Sequence, residues 1–111
     1  MRAFFNLAKK WGLNVTQQRG LLGWPAASTY HKYKCGNVSA LSFDTLTRIS
    51  LLLGIYKVLH ILYPQPELAD SWLKLRNSNP MFAGKAPLDL MLDTGIDAMY
   101  AVRRLLDGRR G

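Results

Sequence analysis

The chain predicts an all-α protein: an N-terminal helix-turn-helix joined by a long central helix to a smaller helical unit. Three observations carry that reading. Apolar residues recur at helical spacing through most of the 111 residues, and no stretch alternates with period two for long enough to make a convincing strand. Gly and Pro fall where short helices would end or begin. Ser42, a good N-cap, opens a proline-free apolar run from Phe43 to about Leu62.

The elements follow in order. Residues 3 to 11 place Phe4, Leu7, Ala8 and Trp11 on one helical face, with Lys9 and Lys10 opposite, and Gly12 ends the helix. Asn14 is expected to cap a second helix running to about Leu22, with Gln17 as its capping-box partner and Val15, Leu21 and Leu22 inward. Gly23-Trp24-Pro25 then makes a tight turn, and Pro25 suits the first position of a third helix. Ala26 or Ala27 with Tyr30 and Tyr33 forms the inner face of that helix. Ser28, Thr29, His31, Lys32 and Lys34 lie outside, and Cys35-Gly36-Asn37 closes it. Two short helices joined by a Gly-containing turn make the helix-turn-helix pattern.

Set at 100° intervals, the fourth helix clusters Leu46, Ile49, Leu53, Tyr56 and His60 on one flank, and Leu52, Ile55, Leu59 and Leu62 on another. Only Ser50, Gly54 and Lys57 mark a narrow polar seam. So wide an apolar arc implies burial on more than one side, and Leu52, Ile55 and Leu59 are expected to form a homodimer interface. A membrane span is disfavoured because Ser50, Lys57 and His60 interrupt the run. Pro64-Gln65-Pro66 is the linker that divides a first unit, 1–63, from a second, 64–111. The second unit is expected to hold a helix carrying Leu68, Trp72 and Leu75, a turn-rich loop over 77–86, and a short helix opened by Pro87 with Leu88, Met91 and Leu92 on one side. After a C-cap at Gly95, a last helix over 96–106 presents Ile96, Met99, Tyr100 and Leu106 inward, ahead of a flexible charged tail.

Charge divides the chain at the same place. Lys and Arg number 15 against 7 Asp plus Glu, a net +8. Up to Tyr63 eight basic residues face one acid, Asp44; from Pro64 onward seven face six. A basic first half suits a polyanion. In the third helix Ser28, Thr29 and Tyr30 are placed at the groove of duplex DNA, with Lys32 and Lys34 on its phosphates. Catalysis finds little support. Gly84-Lys85 lacks the rest of a phosphate-cradling loop, Asp89, Asp93 and Asp97 read as solvated acids, and His31 and His60 have no acidic neighbour in sequence. Cys35 ends a helix, where the dipole disfavours a thiolate. One cysteine and two histidines exclude a disulfide framework and argue against a metal centre; no cofactor and no enzymatic activity are expected. With no leader at its start, the chain is expected in the cytoplasm. An RNA-binding role is weaker still, since no aromatic stacking platform or RNA motif is present.

Several runs of residues resemble a known family. Leu21-Leu22-Gly23-Trp24-Pro25 followed by Ser28-Thr29-Tyr30 resembles the helix-turn-helix of Xre-type antitoxins, and residues 46–55 resemble their central helix. Trp72-Leu73 and the stretch from Asn79-Pro80-Met81-Phe82 to Leu90-Met91 resemble the toxin-binding domain named after Xre, MbcA and ParS antitoxins. The resemblance implies an antitoxin that neutralises a RES-domain, NAD-consuming toxin by blocking its active site and represses its own promoter as a dimer. A pocket for an anionic dinucleotide presents positive charge, so a carboxylate can plug it, while arginines can bond acidic residues at its rim. On that basis the toxin-binding set is Arg103, Arg104, Asp107, Arg109 and Arg110 in the tail, with Phe82, Lys85 and Asp89 in the loop before it. The alternative is a stand-alone helix-turn-helix regulator whose second unit binds a small ligand or is structural.

Overall fold

The computed structural model describes residues 1–110, and among these every regular element is helical. Seven α-helices follow in order: α1 (Arg2–Lys10), α2 (Val15–Leu21), α3 (Ala27–Lys34), α4 (Phe43–Leu62), α5 (Pro66–Ser71), α6 (Pro87–Thr94) and α7 (Ile96–Arg110). Short 3-10 turns occupy Trp72–Lys74 and Pro80–Phe82.

The capping residues perform as their chemistry dictates. Asn14 Oδ1 accepts from the Gln17 amide at 2.8 Å, and Gln17 Oε1 accepts from the Asn14 amide at 3.0 Å, closing a reciprocal capping box on α2. Ser42 Oγ accepts from the Thr45 amide at 3.1 Å at the start of α4. Around α4 lie α1, α5 and α7, and α6 packs against α2 and α7. One contiguous core runs from Phe4, Leu7 and Trp11 through Leu52, Ile55 and Leu59 to Met91, Val102 and Leu106. By length and apolarity alone α4 resembles a membrane-crossing helix; the three helices laid against it cover one part of that apolar surface and leave another open.

Several expectations are corrected. Pro25 does not open α3, which begins at Ala27 with Ala26 as N-cap. Trp24 sits in the left-handed region at φ 60°, and Arg19 takes the Pro25 carbonyl with Nη2 at 2.9 Å and Nε at 3.2 Å. The first bond of the helical ladder comes from the Tyr30 amide to the Ala26 carbonyl at 3.0 Å. Val15, on the first turn of α2, is exposed rather than inward. Leu68 and Leu75 are also exposed: Ala69 is the inward residue of α5, and the tighter 3-10 turn after it brings Trp72 and Leu73 into the core while Leu75 swings out. Leu46 on α4 and Tyr100 on α7 are half-exposed, because the buried strip of α7 is Ala98, Met99, Val102 and Leu106. The segment after Leu106 is not a loose tail. It continues α7 through Gly108 to Arg110, each Gly in a helix costing about 1 kcal/mol against Ala, a penalty the ladder here absorbs.

The expected dimer flank is the largest correction. Leu52, Ile55 and Leu59 are all 0% exposed within a single chain, so they are its core. The face of α4 left open carries Phe43, Leu46, Ser50, Lys57 and Ile61, with Leu53 partly covered.

Candidate functional site

Two charged surfaces stand at opposite ends of the sequence. The first is built on α3. Tyr30 anchors it, 6% exposed, with its ring edge-on to Phe5 at 5.9 Å and its hydroxyl donating to Gln18 Oε1. Tyr30 is therefore removed from the set expected at a DNA groove, since its polar atom is spent inside the fold. The remaining members stay available: Ser28, Lys32 and Lys34 are exposed and Thr29 is half-buried. No side chain caps the α3 N-terminus, which leaves its first amides, those of the turn that carries Ser28 and Thr29, without a side-chain acceptor. No acidic residue precedes Asp44, and Asp44 is paired with Arg48 at 2.8 Å. The Arg48 guanidinium lies against Gly23 in the α2–α3 turn and reaches towards Gly95 between α6 and α7.

The second surface is built on the loop before α6 and on α7. Asn77 Oδ1 accepts from the Asn79 amide at 2.9 Å, Asn79 Oδ1 accepts from the Met81 amide at 3.0 Å, and the Asn77 amide donates to the Lys85 carbonyl at 3.2 Å. This closed loop drives Phe82 inward, where it is 0% exposed and edge-on to Trp72 at 6.3 Å. Phe82 is an anchor of the loop and not a contact residue. Lys85 is exposed and bridges to Asp93 at 3.2 Å, while Asp89 stands exposed on the first turn of α6. On α7 the Arg103 guanidinium covers Gly54 of α4, and its Nε bonds both carboxylate oxygens of Asp107, at 3.0 and 3.2 Å. Any side chain at position 54 would displace it: a Cβ there would lie 1.6 Å from Arg103 Nη1. Arg103 thus packs across α4 over Gly54, whereas Arg104, Arg109 and Arg110 are exposed and enter no ion pair among the described residues.

Helical geometry sorts these residues further. Counting 100° per residue, Tyr100, Arg103, Arg104, Asp107 and Arg110 fall within an arc of about 120°, and Arg109 lies on the far side. Among the polar contacts that escaped sequence reasoning, one joins α4 to α5. His60 Nε2 lies 2.7 Å from Asp70 Oδ1, and Tyr56 packs against the imidazole at 4.2 Å between centroids. The ten-residue gap across the proline linker hid the pair. Among the described residues no three His, Cys, Asp or Glu side chains gather as a metal site.

Residues 58–111 match the family described as the antitoxin Xre/MbcA/ParS C-terminal toxin-binding domain. Over all 111 residues the chain is 40% identical to a protein of Sinorhizobium fredii (strain NBRC 101917 / NGR234) described as "Uncharacterized protein y4oB", and it covers 84% of that protein. The match takes in the end of α4, the loop that buries Phe82, and the whole of α6 and α7, so the second charged surface lies entirely within it. The chain belongs to the Xre/MbcA/ParS antitoxin family and carries that family's toxin-binding domain at its C-terminal end.

Proposed function

We propose that this antitoxin neutralises a RES-domain, NAD-consuming toxin in the cytoplasm by covering its active site with α7, and that α3 binds duplex DNA at its own promoter. It acts by binding and not by catalysis. The observation that carries the first part is the stripe of Tyr100, Arg104, Asp107 and Arg110 along a helix inside the toxin-binding domain. A rigid helix bearing a carboxylate between guanidinium groups holds both the anion that a dinucleotide pocket favours and the cations that bond an acidic rim. Coexpression tests it: cells making toxin and antitoxin should keep their NAD, and the two proteins should copurify. Recovery of the antitoxin without the toxin would favour the stand-alone regulator.

The DNA part is supported by the acid-free first 43 residues and by the uncapped start of α3 beside Ser28 and Thr29. With α2 and α3 as a helix-turn-helix, Lys32 and Lys34 meet phosphates. Lys32→Ala is expected to weaken binding uniformly across sequences and to lower the salt slope by about one. Gel shifts over a salt series on the promoter check this, and an unchanged slope would remove Lys32 from the interface.

Two half-sites call for a two-fold dimer. Since Leu52, Ile55 and Leu59 are core, the pairing surface we infer is the open face of α4, where Phe43, Leu46, Ser50, Leu53, Lys57 and Ile61 follow one another at three- and four-residue steps, as in a helix–helix seam. Leu46→Glu is expected to give a folded monomer in sedimentation with DNA affinity reduced at least tenfold. A dimer that survives this change pairs elsewhere.

A further inference from the structure

Between α1 and the end of α3 runs an open groove of about 830 Å³ whose lining includes the rings of Phe5 and Tyr33, the cations Arg2, Lys9 and Lys34, and Cys35. No acidic residue lines it, and none of the ion pairs among the described residues involves its three cations. We propose that this groove is a binding site for a small amphipathic anion: an aromatic or short aliphatic body carrying a carboxylate, sulfonate or phosphate.

The chemistry follows from the lining. The size falls within the range of about 300–1,000 Å³ typical of small-molecule sites. Aromatic rings in the lining favour an apolar body, and the Lys and Arg groups beside them favour an anionic end. A nucleic-acid backbone would satisfy the cations and leave the aromatic lining unfilled. The site therefore differs from the DNA-facing side of α3, although Lys34 belongs to both. If α3 binds DNA as proposed above, a ligand that engages Lys34 withdraws it from the phosphates, and ligand and operator compete.

Cys35 is the only cysteine, exposed and in no disulfide, with its Sγ 3.5 Å from His31 Nε2, so its modification reports on the groove. The full-length protein is titrated with 8-anilino-1-naphthalenesulfonate, an aromatic sulfonate, and the rate at which N-ethylmaleimide modifies Cys35 is followed in parallel. The expected result is one saturable dye site, with maleimide modification slowed several-fold at saturation. Lys9→Glu should weaken dye binding about tenfold, and Tyr33→Ala should weaken it as well, with circular dichroism melting showing both variants folded. Should Lys9→Glu fail to fold, the unaltered protein still decides: its dye affinity must fall as salt rises. Unslowed maleimide modification at dye saturation, or wild-type affinity in a folded Lys9→Glu, overturns the site. Dye that protects Cys35 without displacing promoter DNA upholds the site and counts against the placement of Lys34 on DNA.

Discussion

Ile55→Glu is expected to leave the chain unfolded at room temperature. Ile55 is 0% exposed on the side of α4 that also buries Leu52 and Leu59, in the contiguous core with Val102 and Leu106 of α7. Truncating a buried Ile costs about 2–5 kcal/mol through lost transfer energy and the cavity left behind. A carboxylate at the same place adds the cost of taking a charge out of water with no partner to hold it. Stability of a domain this size is about 5–15 kcal/mol, so the sum consumes most or all of it. Circular dichroism and hydrogen exchange check the result. The control is Thr16→Glu, exposed on the first turn of α2 and outside the inferred pairing face, which should melt within a few degrees of the unaltered protein. A folded, cooperative Ile55→Glu protein would mean that α4 rotates its flanks relative to the packing described above.

That experiment turns on the feature the sequence left most ambiguous. A helix apolar around most of its circumference has no preferred inner side until its neighbours are known. The pattern of α4 showed that it would be buried, but not which flank would meet α7 and which would face solvent. Local chemistry was legible where it is self-contained: the Asn14–Gln17 box, the Ser42 cap, and the inward set Phe4, Leu7, Ala8 and Trp11 all depend on residues within a few positions of one another. What stayed hidden depends on distant partners. The Pro25 carbonyl is claimed by Arg19, Tyr30 spends its hydroxyl on Gln18, and Phe82 is pulled inward by Trp72. Arg103 looks from sequence like one more charge in a basic tail, and lies across α4 only because Gly54, 49 residues earlier, leaves room for its guanidinium.

The same logic reshapes what the C-terminal end can do for neutralisation. A flexible tail would present Arg103, Arg104, Asp107, Arg109 and Arg110 in any combination, and binding would cost the entropy of ordering them. A helix through Arg110 has already met that cost and offers a fixed stripe. Ending the chain after Leu106 should therefore leave the fold and DNA binding intact, because Leu106 is the last buried residue and everything after it is exposed through Arg110. The stability lost is the Arg103–Asp107 pair, an exposed i,i+4 contact of about 0.3–0.5 kcal/mol. Toxin neutralisation should collapse: NAD depletion returns in cells expressing both proteins, and copurification falls at least a hundredfold if two charge-assisted bonds are lost at about 1.5–3 kcal/mol each. Geometry adds a sharper comparison. Arg104 lies on the stripe with Tyr100 and Asp107, and Arg109 lies on the far side, so Arg104→Ala should weaken toxin binding by tenfold or more while Arg109→Ala leaves it within twofold. Equal losses from both would mean that net charge and not helical placement does the binding. Full protection by the shortened chain would remove Asp107 and Arg110 from the contact and leave it to Tyr100 and Arg104 or to the exposed Lys85 and Asp89.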